Sequence, residues 1–148
     1  MNIKKANVDD ISKLIHLVYN AYEMHYIGRN DIFRIHSENE IMLELKNIFE
    51  DQSRTILLLE EKDITIGYIM FRCNEKLNKS LWIDQFYIEN EYRNKGYGKS
   101  LLNEVKKHAK NKGINRIELN CWTFNNNALE FYRHLGFKEQ RIVFESEV

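Results

Sequence analysis

Proline is absent from the 148 residues, and cysteine occurs only twice, at Cys73 and Cys121. The lack of proline, beside abundant Asn, Lys and Ile, fits an A/T-rich coding genome and excludes no function. An excess of either charge is missing too: 22 Lys plus Arg balance 22 Asp plus Glu. No bulk field therefore favours nucleic acid or an anionic membrane, and neither is expected as a partner. No apolar run approaches the roughly 20 residues of a membrane span, and MNIKKANVDD lacks the apolar stretch of a secretory signal. A cytoplasmic location is the expectation. Both cysteines fall in strand-like segments without CxxC spacing, so in a reducing compartment they read as small buried apolar groups. The five histidines show no metal-ligand spacing, and no metal is expected.

What is present is enough apolar material, 43% of residues, for one domain spanning residues 1–148. Asn2 to Ala6 reads as a short strand. Asp9 or Asp10 caps a helix with Ile11, Leu14, Ile15, Val18 and Tyr22 on one face. Ser37 to Phe49 reads as a second helix, with Ser37 and Glu40 as a capping box. The intervening YEMHYIGRNDIFRIH is aromatic and charged without a period. Three strands follow, Thr55 to Glu60, Ile64 to Cys73 and Ser80 to Ile88, the first two joined by the turn EEKD. A helix carrying Leu101, Leu102, Val105 and Ala109 stops at Gly113. The strand Asn115 to Cys121 comes next, then a helix with Leu129, Phe131, Tyr132 and Leu135 ending at Gly136, then the strand Phe137 to Glu145. The order β-α-α-β-β-β-α-β-α-β requires one parallel crossover, so the fold class is α/β (α+β) with a mixed sheet.

Glycine is sparse, six in all, yet two of the six fall in RNKGYGKS, positions 93 to 100, just before a strongly periodic helix. Glycine lets main chain approach a ligand closely, and the first amides of a helix are unpaired donors at the positive end of its dipole. The loop therefore reads as a phosphate cradle. A P-loop, GxxxxGK[ST], would need glycine at Arg93 and a strand ending at the loop, where ENEY intervenes. A dinucleotide motif would need glycine at Leu101 and an acid at the end of the next strand, where Asn120 stands.

Arg93-x-x-Gly96-x-Gly98, preceded by SLWIDQFYI and followed by LLNEVKKHAKNKG, resembles the pyrophosphate-binding motif of the GNAT acyl-CoA N-acetyltransferases. The block NNNALEFYRHLGF, with Asn125, Ala128, Tyr132 and Gly136-Phe137, resembles that family's other conserved segment. The element order matches from end to end. The resemblance implies a mostly antiparallel sheet in which one parallel strand pair splays apart, with acetyl-CoA as co-substrate and a primary amine as acceptor. It implies a pantetheine arm bonding main chain near Phe86 and Ile88, phosphates on Arg93, Asn94, Lys95, Gly96, Tyr97, Gly98 and Lys99, and Asn125 on the pantetheine. It also implies a Tyr132 hydroxyl near the thioester sulfur.

An amine like that of lysine is protonated at pH 7, and removing its proton costs on the order of 4–5 kcal/mol, so a base or a desolvating pocket is needed. The departing thiolate needs a donor still protonated at pH 7, a task Tyr132 suits. A frequent family position for the base is Asn120 here, which takes no proton. Asp84 is the leading alternative, expected on one sheet face with Trp82, Phe86 and Ile88; Glu118 or a water chain stays open. Direct attack in a ternary complex is favoured over an acetyl-Cys121 route. The acceptor site is expected from Tyr22 to His36, with Trp122 to Phe124 opposite and Tyr22, Glu23, His25, Tyr26 and Trp122 suited to an ammonium. An acyl-CoA sensor without turnover is the alternative. Protein N-termini, lysines, polyamines, aminoglycosides and small amino compounds all use this scaffold, and a homodimer through the C-terminal strand is compatible with it.

Overall fold

Apolar residues at helical spacing close α1 (Ile11–Gly28) with Leu14, Leu17, Val18 and Ala21 buried on one face. The same period gives α2 (Glu38–Glu50), with Ile41, Leu45 and Ile48 buried. The structure, a computed structural model, describes residues 1–74 and 80–148. Ser37 caps α2 by accepting the Glu40 N–H at 3.2 Å. The start of α1 differs from expectation. Asn7 caps a short turn, Val8–Asp10, leading into the helix, and the Asp10 carboxylate accepts the Asn7 N–H at 3.1 Å. Asp10 turns back because Lys4 pairs with it at 2.9 Å.

Five strands line up in the order β1-β2-β3-β4-β5: β1 (Asn2–Lys5), β2 (Arg54–Glu61), β3 (Ile64–Asn74), β4 (Ser80–Ile88) and β5 (Arg116–Leu119). The first four are antiparallel neighbours, and β4 and β5 are parallel, joined through α3 (Tyr97–Asn111). A final helix, α4, covers Asn126–His134. Alternation along the strands loads both faces. Ile56, Leu58, Tyr68, Met70 and Tyr87 meet α1 and α2 on one side. Leu59, Ile66, Ile69, Phe71, Leu81 and Ile83 meet Leu101, Leu102, Val105 and Ala109 of α3 on the other. Each fully buried Leu or Ile contributes about 1.5–3 kcal/mol, so these two layers dominate the stability.

Two departures bear on the site. The register of β3 and β4 shifts between Met70↔Gln85 and Phe71↔Ile83, leaving Asp84 as an extra residue in a β-bulge. The expected last strand, Phe137 to Glu145, forms no ladder with any described strand. Its alternation suits a pleated surface, but among the described residues it is held by side-chain anchors. Gln140 donates to Glu118 at 2.6 Å, and Arg29 donates to Glu145 at 2.6 and 3.0 Å.

Candidate active site

The parallel ladder between β4 and β5 ends at Ile83↔Leu119. From Asp84 onward β4 runs without β5 beside it, so the two strands part at the bulge. Asn120 and Cys121 lie past the end of β5 rather than in it. On the α3 side of this opening stands Phe86, whose ring centroid is 5.8 Å from that of Phe131 and 6.5 Å from that of Tyr132. Ile88 is buried in the same layer.

The loop into α3 is shaped by backbone rather than side chains. Asn94 and Gly96 both take left-handed conformations, at φ 60° and 84°. Gly96 is the N-cap without a capping side chain, and the first helical bond runs from the Ser100 N–H to the Gly96 carbonyl. The amides of Tyr97, Gly98 and Lys99 therefore have no helical acceptor, the condition that suits a helix start to an anion. The two glycines have different causes. A Cβ on Gly96 would meet nothing within 4 Å, so its positive φ is the reason for glycine there. A Cβ on Gly98 would lie 2.9 Å from Phe131 and 3.3 Å from Phe86, so that glycine lets α3 begin against the aromatic layer.

The cations divide as well. Arg93 turns back, donating through Nε to the Ile88 carbonyl at 2.8 Å with its guanidinium 5.2 Å from the Tyr87 ring centroid. It pins the loop to the end of β4. The Lys95 ammonium lies 5.5 Å from the Tyr92 ring centroid, and Lys99 is exposed.

Tyr132 packs edge-on between Phe131 and Phe137. Burial, together with the nearby Cys121 thiol, pushes its hydroxyl well above the ordinary tyrosine range. It stays protonated at neutral pH, as a proton donor must. Burial likewise raises the Cys121 thiol, which leaves it a poor nucleophile. Asn125 caps α4, its Oδ1 accepting the Ala128 N–H at 3.2 Å, which leaves its Nδ2 group to donate to a ligand.

Asp84 does not share a face with Phe86 and Ile88 as the two-residue spacing predicted. The bulge turns it toward the α1 and α2 side, where Arg72 Nε lies 3.3 Å from Oδ1 and Arg54 Nη1 3.9 Å from Oδ2. Its Oδ2 is buried without a hydrogen bond. Burial raises its pKa, against the opposing pull of Arg72 and Arg54. Glu118 is the reverse case: the Gln140 amide holds its carboxyl below the ordinary range.

The α1 to α2 connection and the segment after β5 do meet. Phe33 contacts Trp122 with centroids 5.3 Å apart, Arg29 lies 5.5 Å from the Trp122 ring centroid, and the Phe124 ring lies so close to Gly28 that any Cβ there would overlap it. His25 adds edge contacts to Phe33 and Phe124, Tyr26 is half-buried, and Glu23 is exposed. Tyr22 faces elsewhere: Tyr68 donates to Gln85 at 2.7 Å, Gln85 to Tyr22 at 3.1 Å and Tyr22 to Glu44 at 2.6 Å. Glu44, Glu40, Asp51 and Arg54 line an open cleft of about 550 Å³, and Arg54 is also the residue that lies 3.9 Å from Asp84.

Gln85 and Glu44 escaped the sequence reading. Gln85 had one signal, the adjacent polar pair Asp84-Gln85, which breaks alternation within an apolar strand, whereas Glu44 is one of several acids on α2. Among the described residues no group of three or more His, Cys, Asp or Glu side chains is arranged to hold a metal ion, and no helix is long and apolar enough to cross a membrane.

The model of the acetyltransferase (GNAT) family matches residues 17–137. An uncharacterized N-acetyltransferase of Methanocaldococcus jannaschii is 24% identical over 146 residues, 96% of this chain and 61% of that protein. An L-ornithine N5-acetyltransferase of Arabidopsis thaliana is 33% identical over 101 residues, 63% of this chain and 44% of that protein. The chain thus spans less than two thirds of the length of either relative. A solved structure of the BH1408 protein from Bacillus halodurans superposes over 100% of both chains with a TM-score of 0.91 at 22% identity, a likeness of fold.

Proposed function

The chain belongs to the GNAT acetyltransferase family, and from that premise we propose that it transfers the acetyl group of acetyl-CoA directly to a primary amine on a small cationic molecule. The observation that carries this reading is the parting of β4 from β5 at Ile83↔Leu119, with the glycine loop at the start of α3 packed against Phe86 beside it.

On this reading the amides of Tyr97, Gly98 and Lys99 hold the pyrophosphate, with Lys99 and Lys95 adding charge and Asn94 and Gly96 bending the chain to present the donors. Arg93 contributes by fastening that loop to β4. Main chain from Phe86 to Ile88 and the Asn125 amide receive the pantetheine arm. The amine approaches from the α1 and α2 face, where Asp84 takes its proton. Its lone pair forms the C–N bond as the C–S bond breaks, and Tyr132, on the opposite face, gives a proton to the departing sulfur. Placing acid and base on opposite faces of one strand keeps them from neutralising each other. Glu40, Glu44 and Asp51 favour a cationic acceptor, and the ornithine-acetylating relative acts on an amine of that kind. A second copy of the chain is the remaining partner in this reading.

The test is release of free coenzyme A from acetyl-CoA in the presence of ornithine, diamines, polyamines, aminoglycosides and peptide N-termini. Turnover with a small cationic amine is expected. Binding of acetyl-CoA without release for any acceptor would sink the proposal and favour a sensor.

A further inference from the structure

Asp84 and Gln85 are consecutive on β4, yet both side chains lie on the α1 and α2 side of the sheet, because Asp84 is the extra residue of the bulge. A strand without the bulge would keep Asp84 on that side and send every later side chain to the opposite one. Phe86 would then leave Phe131 and Tyr132, and Gln85 would enter the layer of Leu59, Ile66, Ile69 and Leu101. Phe86 and Ile88 are apolar and suit either layer. Tyr87 is a ring whose hydroxyl makes one long bond, to Glu89 at 3.3 Å. Gln85 is the side chain for which the two registers differ most in polarity.

Its amide is held at both ends. The Tyr68 hydroxyl, on a fully buried ring, donates to Gln85 Oε1 at 2.7 Å. Gln85 Nε2 donates to the Tyr22 hydroxyl oxygen at 3.1 Å, and Tyr22 donates to Glu44 at 2.6 Å. Every bond runs the same way and the last acceptor is a carboxylate, so each donor in the chain is satisfied by the next group. The chain joins β3, β4, α1 and α2. Moving Gln85 to the other face breaks two of its bonds and leaves the Tyr68 hydroxyl without an acceptor among Ile56, Leu58 and Met70. We propose that Gln85 is a positioning residue for acetyl transfer: held between Tyr68 and Tyr22, its amide selects the bulged register of β4 and so keeps Phe86 against Tyr132 beside the opening between β4 and β5. A single buried polar group fixes register in coiled coils by the same logic. The effect on turnover rests on the acetyl-transfer reading, whereas the effect on register rests on the hydrogen-bonded chain alone.

The experiment combines Gln85→Leu with Tyr68→Phe. Gln85→Leu alone leaves the Tyr68 hydroxyl buried and unpaired and should lower the urea midpoint. Adding Tyr68→Phe removes that hydroxyl and should restore most of the loss. Cross-strand backbone NOEs report the register without any need for turnover. In the native chain they should join residue 70 to residue 85 and residue 68 to residue 87. In the double variant those contacts should fade, with residue 68 meeting residue 86 instead, and kcat should fall about 10²-fold, as for a displacement of about 1 Å at a reacting centre. A purely structural role would return kcat along with the urea midpoint. The proposal is overturned if the double variant keeps the native NOEs, or if it loses them at native kcat. Tyr22→Phe, at a half-buried position, covers the case in which the double variant does not fold. It removes one acceptor of the chain and should lower kcat by up to about tenfold, with exchange broadening confined to residues 84–86; native kcat or unbroadened signals in that variant also overturn the proposal. A native chain that transfers no acetyl group sinks the catalytic reading, while the NOEs still decide whether Gln85 sets the register.

Discussion

Asp84 and Phe86 stand two residues apart on β4 and face opposite sides of the sheet. Asp84 lies 3.3 Å from Arg72 on the α1 and α2 side, and the Phe86 ring lies 6.5 Å from that of Tyr132 on the other. One inserted residue achieves this, since the register passes from Phe71↔Ile83 to Met70↔Gln85 with Asp84 between. The bulge coincides with the end of the β4 to β5 ladder. A single irregularity therefore both opens the strand pair and distributes its polar groups.

If Tyr132 protonates the leaving sulfur, Tyr132→Phe removes the proton and keeps the ring that Phe86, Phe131 and Phe137 pack against. The fold and the KM for acetyl-CoA should hold, while kcat falls about 10²-fold or more. Steady-state kinetics check this. A variant with native kcat would reduce Tyr132 to a packing residue.

Gly96 and Gly98 should respond differently to alanine. Gly96→Ala meets open space but must hold a positive φ, a strain of about 1–2 kcal/mol. Gly98→Ala drives a methyl into Phe131 and Phe86, at about 1–3 kcal/mol, and displaces α4 with Tyr132. Urea unfolding should show both losses, and only Gly98→Ala should also lower kcat.

The elements that periodicity describes were legible in the sequence: α1, α2, α3, α4 and strands β1 to β5, in order. So was the meeting of the α1 to α2 connection with Trp122 and Phe124. The bulge was not, because its register depends on what β3 presents opposite, and two adjacent polar residues do not say which one is extra. Arg93 was read as a phosphate ligand from its charge, and that charge gave no sign of the bond from its Nε to the Ile88 carbonyl, five residues earlier. The C-terminal strand was misread for a related reason. Alternation around Val143 describes a surface able to pair, and a partner is a separate fact.

Acid should destabilise the β1 corner. Burial works to raise the Asp10 carboxyl, but the Lys4 ammonium, the Asn7 N–H and Lys13 outweigh it and leave the group below 3.8. Glu60 is lowered chiefly by Lys13. A depressed carboxylate contributes stability that is complete above its unfolded pKa and is lost as pH falls through the folded one. Asp10→Asn should therefore cost about 1–3 kcal/mol at pH 7 and flatten the decline below about pH 4. Urea midpoints of both proteins from pH 7 to pH 3 check the sign; parallel curves would contradict it.

Asp84 carries the sharpest prediction, because its surroundings support two roles. As a base it must lose its own proton first, and burial has moved its pKa above 3.8. Activity should then rise with pH through an acid limb lying above the ordinary carboxylate value. Asp84→Asn should remove that limb and lower kcat by about 10²-fold or more, by the usual worth of a positioned base. As a counter-ion alone it would serve Arg72 and Arg54. Asp84→Asn would then lower the urea midpoint and leave kcat and its pH profile in place. The choice of acceptor sharpens the contrast. A lysine-like amine needs on the order of 3 kcal/mol more help with its proton than an α-amine does, so loss of a true base should hurt the first more than the second. Equal loss with both amines, at unchanged pH dependence, would assign Asp84 to the ion pairs and leave amine deprotonation to desolvation in the cleft.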